Sequence, residues 1–461
     1  MRISTSMVYN LGGKAVQSQM SDLYKLQGQL SSGKRITTPS DDPLASARVL
    51  EVHQSQSTTE QLSTNADYAS SALEAQEAAL GRVSDLLGEV RALGVYAGNS
   101  SLSLTDRQAL AASLKAKYTE LIGLANTQDN GKYLFSGYQG ETQPFSEISP
   151  GIVAYNGDEG ARLIQVTPSR QVPVSSAGVD VFQRVRNGNG ELFVSADPAI
   201  TGVTNTGTGV ATPTELLDPT LWNATGNTKD YSVVFAQDTT VQPPVVTYDI
   251  VANVATTVNA VAYAAGDSLL TGAPSLATAS TGGGPRYPRA YTEGTAISFK
   301  FVAGDTNPDT AWDLGIEFSV KGTPTSTPTD SIPVTLSDTF TVKDSVADQD
   351  IFNTIYKLVD LLEGGSPTQI GNGVMTLLED LTQAEETVMS ALTTVGVTLQ
   401  EVDSHKGTNE DLILQYKTTI SDLSDLDYAS AITDLTLRQA NLTASQKSFL
   451  AVQNLSLFNF I

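Results

Sequence analysis

The strongest constraint on this chain is a hydrophobic period that changes twice. From Met1 to about Asn130, and again from about Asp348 onward, apolar residues fall three and four apart, the spacing of one helix face. Between about Ala177 and Lys343 the spacing is two, in short runs such as DYSVVFA, PVVTYDIVA, AISFKFVAG, LGIEFSV and DTFTVKD, bounded by Gly, Pro, Thr and Asp. The order is therefore helix, β, helix, with an all-β segment of one or two small modules inserted into a helical host. An inserted segment leaves and re-enters its host at nearby points, so the two helical ends are expected to be neighbours.

The first helical stretch ends abruptly. QGQLSSGKRITTPSDDPLASARVL, Gln27 to Leu50, contains Gly28, four residues and then Gly33-Lys34, close to a phosphate-binding loop. That loop needs Ser or Thr after the Lys and a buried strand before the first Gly; position 35 is Arg, and Val16, Met20, Leu23 and Leu30, with Tyr9 further back, repeat at helical spacing. The stretch reads instead as a helix ending at a left-handed Gly33, with Lys34 and Arg35 at its carbonyl end. Ser40, Asp41 or Asp42 then caps a new helix that starts at Pro43.

Further helices are expected from Pro43 to about Ala97 and from Thr105-Asp106 to a stop at Asp129-Asn130-Gly131. GKYLFSGY, IVAYNGDEGARLIQV and RQVPVSS then read as hairpins. After the β segment come IFNTIYKLVDLLE, the helical run VMTLLEDLTQAEETVMSALTTVGVTLQEV and a last stretch to Ile461; Gly407, followed by Thr408 and Asp411 in capping-box spacing, is either tolerated within a longer helix or breaks it. In that last stretch Tyr428, Leu435, Leu442 and Phe449 lie seven apart, with Ala431, Ile432 and Val452 on the same face. Leu437, Leu455, Leu457 and Phe458 form a second apolar edge. Isolated helices are marginal in water, and Gly12-Gly13 weakens the first one further. The two ends are expected to order only against each other and against copies or partners.

Composition excludes several function classes. The 461 residues carry a formal charge of −23, the wrong sign for a nucleic-acid partner. There is no Cys, so disulfides, thiolate chemistry and Cys-based metal sites are absent. No apolar run reaches the roughly 18 residues of a membrane span, and the start lacks the apolar core of a signal peptide. The two His, His53 and His405, stand alone on helical patterns, without a zinc-site HExxH or a nucleophile-elbow GxSxG. DTNPDT, Asp305 to Thr310, lacks the Gly and the bidentate Glu of a calcium loop. No cofactor, metal site or catalytic group is indicated. Trp222, Tyr231, Tyr287, Tyr291 and Trp312 are the aromatics on which a sugar-binding insert would rely, though hairpin and core positions suit them better.

LSSGKRITTPSDDP near the start, GKYLFSGYQGETQPF with VAYNGDEG after it, and DLDYASAITDL with the ending LSLFNFI resemble the flagellin superfamily, and within it the hook-associated protein 3 (FlgL) type, the hook-filament junction proteins. The resemblance covers about residues 1–190 and 345–461 and does not extend to the β insert. It implies an α+β multidomain fold: paired N- and C-terminal helices as an inner coiled coil (residues 1–35 and 428–461), a helical domain with β-hairpins (36–176 and 345–427) and an all-β outer domain (177–344). It implies a non-enzymatic extracellular component of the bacterial flagellum, exported without a cleaved signal peptide. Its partners would be a ring of its own copies, hook-associated protein 1, flagellin and a cytoplasmic export chaperone, with no nucleic acid and no membrane insertion. The expected subunit-interface residues are Val16, Met20, Leu23, Leu30, Lys34, Arg35, Asp41, Asp42, Tyr428, Leu435, Leu442, Phe449, Leu455 and Phe458. A filament subunit and an adhesin carried on the insert are the alternatives.

Overall fold

The computed structural model describes residues 5–99, 101–201, 204–238, 242–275, 278–279, 285–324 and 338–454. Its long helices are α1 (Thr5–Ser32), α2 (Pro43–Ala97), α3 (Leu104–Ala125), α4 (Ile351–Gly364), α5 (Pro367–Ser424) and α6 (Tyr428–Asn454). Each begins or ends where side-chain chemistry dictates. Ser103 and Asp106 form a reciprocal capping box at α3, and Asp350 accepts the Phe352 and Asn353 amides at α4. α5 runs unbroken through Gly407, where an added Cβ would meet nothing within 4 Å. Among the described residues no helix is long and apolar enough to cross a membrane.

α3 stops earlier than its sequence suggests, at Ala125. Asn130 and Gly131, with φ of 48° and 77°, form instead the tight turn between the short strands Gln128–Asp129 and Lys132–Tyr133. GKYLFSGY is also less of a strand than its alternation implies. Lys132 and Tyr133 pair as a strand and Ser136 makes a single bridge to Ala177, while Leu134 and Phe135 between them are both fully buried. Phe135 packs edge-on against Phe182, which in turn stacks on Phe352 of α4.

The chain divides into two compact units. One comprises Met1–Tyr68, Gln165–Gln171 and Glu401–Ile461, the other Ala69–Ile164 and Val172–Gln400, each taken over its described residues. In the second unit α3 packs on α4 through Leu110, Leu114, Tyr118 and Leu121 and through Ile355, Leu358 and Leu362, all buried.

The inserted segment, also within the second unit, is built on antiparallel sheets; it is not purely β as expected, since the short helices Gly178–Phe182, Pro198–Thr201 and Pro219–Trp222 lie between its strands. One sheet runs in the order Arg289–Ala290, Val245–Ala252, Asp230–Asp238, Thr339–Asp344, Leu192–Ser195; in the other, Glu215–Leu216, Asp313–Lys321 and Ala296–Lys300 lie side by side. In the first sheet Val233 pairs with Ile250 and Phe235 with Tyr248. Both sheets contribute to one hydrophobic cluster, so the insert has a single core. Trp222, Tyr231 and Trp312 are essentially fully buried in it, which removes them as sugar-stacking platforms. Asp305 pairs with Arg289 at 2.7 Å, and the Arg289 guanidinium lies 5.7 Å from the Trp312 ring centre.

Candidate functional site

The candidate residues fall into two parts of the first unit: the seam between α1 and α6, and the joint where four helix ends meet. On α1 the less exposed positions include Gly12, Val16, Gln19, Leu23, Leu26 and Leu30, spaced alternately four and three apart, with Gly33 just past its end continuing the pattern. Leu26 is the most enclosed, at 8% exposure. On α6 Ala431 is buried and Leu435, Leu442, Ser445 and Phe449 are half-buried, again at heptad spacing.

Three sequence expectations for the seam change, at Met20, Ile432 and Tyr428, the last of which is 52% exposed at the start of α6. Met20 is 43% exposed, and its slot is taken by Gln19, one residue and about 100° earlier around the helix. The Gln19 Oε1 is buried without a hydrogen-bond partner. Ile432 is exposed for the same angular reason, being one residue past the buried Ala431. Gly12, which weakens an isolated helix, has a packing role here, because an added Cβ would sit 2.7 Å from the Phe449 ring. Arg438 of α6 also pairs with Asp22 of α1 at 3.1 Å. Leu455, Leu457 and Phe458 lie outside the described residues, as do the side chains of Tyr9 and Val452.

The joint is built from the GKRITTPSDDP stretch and the turn between α5 and α6. Gly33 closes α1 with φ +70°, its amide donating to the Gln29 carbonyl at 2.9 Å. An antiparallel bridge follows, in which the Leu426 amide donates to the Gly33 carbonyl at 2.9 Å and the Arg35 amide to the Ser424 carbonyl at 2.7 Å. The Arg35 guanidinium reaches the Leu423 carbonyl at 2.8 Å, satisfying an acceptor at the end of α5, and the Asp42 carboxylate at 3.3 Å. Asp42 accepts the Ala45 amide at 3.0 Å and so caps α2. That amide and then Arg35 hold its carboxyl below the usual carboxylate range.

Asp41 serves the loop rather than the helix. One oxygen accepts the Thr37 and Thr38 amides at 3.1 and 2.9 Å, and the other meets Lys25 of α1 at 2.8 Å. Lys25 first, then Thr38 and Thr37, hold the Asp41 carboxyl far below its ordinary value. The Asp427 carboxylate accepts the Ala429 amide at 3.0 Å to start α6. Within one chain, then, Arg35, Asp41 and Asp42 already have partners, while the Lys34 side chain is exposed. Of these partners only the helix cap was legible locally, as one of Ser40, Asp41 or Asp42; Lys25 and the Leu423 and Ser424 carbonyls carried no sequence signal.

The hairpin tip Gln165–Gln171 belongs to the same unit. Its Gln165 and Val166 carbonyls accept from Asn65 and Asn409 at 2.9 and 3.1 Å. Arg170 forks onto Glu401 with one contact at 2.8 Å, and that cation holds the Glu401 carboxyl low. His405 lies 3.6 Å from the same carboxylate, on the helix surface. Among the described residues no group of three or more metal-binding side chains is assembled.

The two terminal helices, α1 and α6, thus pair along a heptad seam that a clasped turn closes at one end. Residues 3–140 match the bacterial flagellin N-terminal helical region. Flagellar hook-associated protein 3 of Salmonella typhimurium is 33% identical over 211 residues, which is 43% of this chain and 66% of that protein, just under two thirds of its length. The crystal structure of Xanthomonas campestris FlgL is 26% identical, with a TM-score of 0.60 over 80% of this chain and 99% of that one. The flagellar junction protein FlgL from Legionella pneumophila shares the fold, at 24% identity and a TM-score of 0.60, over 82% of this chain and 100% of that one. Over these residues the chain is similar to the flagellin superfamily. These relatives are hook-associated protein 3 (FlgL) proteins.

Proposed function

We propose that this chain is the flagellar junction subunit that joins hook-associated protein 1 to the flagellin filament. The observation that carries the proposal is an incomplete helix pair. α1 and α6 bury one seam against each other yet leave Met7, Leu11, Met20 and Tyr24 on α1, and Ile432, Leu437 and Leu450 on α6, largely exposed. Apolar side chains on both flanks of a two-helix seam suit packing against further copies of the same pair.

In this account residues 1–35 and 428–461 form the inner layer of a ring, 36–176 and 345–427 the next, and 177–344 the outer one. Val16, Leu23, Leu30, Leu435, Leu442 and Phe449 set the pair; Met20 and Tyr428 face neighbouring copies, with Leu455 and Phe458 assigned to the same contacts. Lys34, Arg35, Asp41 and Asp42 shape the joint, with Lys34 free to reach a neighbour. The terminal helices order on assembly, after export of the unfolded chain to the cell exterior, and an export chaperone holds the C-terminal helix until then. The names of the matching proteins, all structural flagellar components, support a non-catalytic role.

Deleting the gene, examining cells by electron microscopy and assaying the medium for flagellin tests this. Bare hooks with flagellin in the medium support the junction role. Bare hooks without flagellin would make the chain the filament subunit, and intact filaments would overturn both.

A further inference from the structure

The root of the β insert meets α5 at two adjacent acidic residues. Val185–Arg186 pairs with Ala347–Gln349 where the chain leaves and rejoins the helical part. The next loop turns sharply, with φ of 64° at Gly188 and 86° at Gly190. The Asp380 carboxylate accepts the Gly188 amide at 2.8 Å, and the Asp380 carbonyl accepts Gln349 Nε2 at 2.9 Å. One residue earlier on α5, Glu379 faces the Thr214 amide. Asn189 Nδ2 donates to the Thr214 carbonyl at 3.0 Å, so the Thr214 loop is tied to the Gly188 loop, which Asp380 holds to α5. The Glu379 Oε1 is buried with no hydrogen-bond partner. A cleft of about 850 Å³, lined in part by Asp380, Asp348, Lys357 and Thr376, adjoins the pair.

We propose that Glu379 and Asp380 form a proton-operated latch that holds the Asn187–Gly190 loop and Thr214, and with them the root of the β insert, against α5. The latch is closed while Glu379 is protonated and loosens when both carboxyls are charged. Burial is the main cause: it raises Glu379 to about 7, with the charge of Asp380 adding to it, and Asp380 to about 6. The Thr214 and Gly188 amides oppose these shifts. Lys357 of α4 also favours the Asp380 charge and Asp348 of the Ala347–Gln349 strand disfavours it, while Asp350 at the start of α4 is itself raised by burial. No ion pair among the described residues reaches either carboxyl of the latch, and the orphan Glu379 oxygen leaves its ionised form uncompensated. Both acids bind protons more tightly in the closed form than at their ordinary values of 4.5 and 3.8. The closed form is therefore favoured at low pH and loses that advantage as pH rises through 6 and 7.

Hydrogen exchange on the full chain, corrected for intrinsic rates and read on peptides spanning residues 186–216, tests the latch. Protection should be about tenfold or more lower at about pH 8 than at about pH 5.5. Glu379→Gln should keep high protection at both pH values, and Glu386→Gln, an exposed acid of α5, should behave as wild type. Tryptophan fluorescence checks that each variant retains the insert core. Equal protection at the two pH values would overturn the latch. So would an unchanged pH dependence in Glu379→Gln, or an equal loss in peptides spanning residues 230–252, which would mark a general loosening of the insert.

Discussion

Replacing Gly33 by Ala isolates the backbone requirement of the joint. At φ +70° an L-residue pays about 1–2 kcal/mol for the left-handed conformation. The new Cβ would also lie 2.8 Å from the Tyr428 hydroxyl and 3.8 Å from its ring carbon. Tyr428 is 52% exposed, so it can rotate away, and this contact adds little. The whole cost falls on the bridge, in which Leu426 donates to Gly33 and Arg35 to Ser424. A loss of about 1–2 kcal/mol corresponds to roughly five- to thirty-fold faster exchange of the Arg35 and Leu426 amides. Native-state hydrogen exchange on the full chain reads this directly, with buried α3 amides as an internal reference. Gly33→Asn, whose side chain tolerates the left-handed region, should lose clearly less. Adding Tyr428→Phe to the Ala variant should recover only a few tenths of a kcal/mol. Wild-type exchange in Gly33→Ala, or an Asn variant as damaged as the Ala one, would refute the reasoning.

Other consequences are as direct. Arg289→Met leaves Asp305 buried at 3% exposure with no cation, which should cost the insert about 3–5 kcal/mol. The chain has only two tryptophans, Trp222 and Trp312, both in the insert core, so fluorescence reports its loss while helix content measured by circular dichroism persists. Gly407→Ala, where a Cβ meets nothing, should stabilise α5 by up to about 1 kcal/mol, seen as slower exchange of the surrounding amides. Asp41 sits below its ordinary 3.8, so its contribution to the joint is complete above that value and is lost as pH falls toward the lower folded value. Lys25→Met should raise the Asp41 value in an NMR titration and move that loss to higher pH.

Much of this architecture could be read locally. Helix ends at Gly33 and Pro43 carry their own chemistry, and the alternating runs of the insert became strands at the places quoted. A helical stripe, however, tolerates an error of one residue. Met20 and Ile432 are apolar neighbours of the true seam positions Gln19 and Ala431, and hydrophobicity alone favours the wrong member of each pair. GKYLFSGY misleads because Leu134 and Phe135 are consecutive buried residues, a pattern with neither period. The joint was hidden for a different reason: Arg35 is satisfied by carbonyls 388 and 389 positions away in the chain, and no window of sequence contains both partners. Glu379 and Asp380 likewise carry no local signal, because the groups that meet Asp380 come from Gly188 and Gln349, far away in the chain.

The central claim is that the α1–α6 seam builds the junction, and Leu442→Asp tests it most directly. The residue is half-buried at a heptad position, where a carboxylate would be desolvated beside α1. The variant is expressed in the gene-deletion strain, with tryptophan fluorescence checking that the insert is folded. The account predicts bare hooks and flagellin in the medium, despite a folded second unit. Normal filaments in that strain would contradict it.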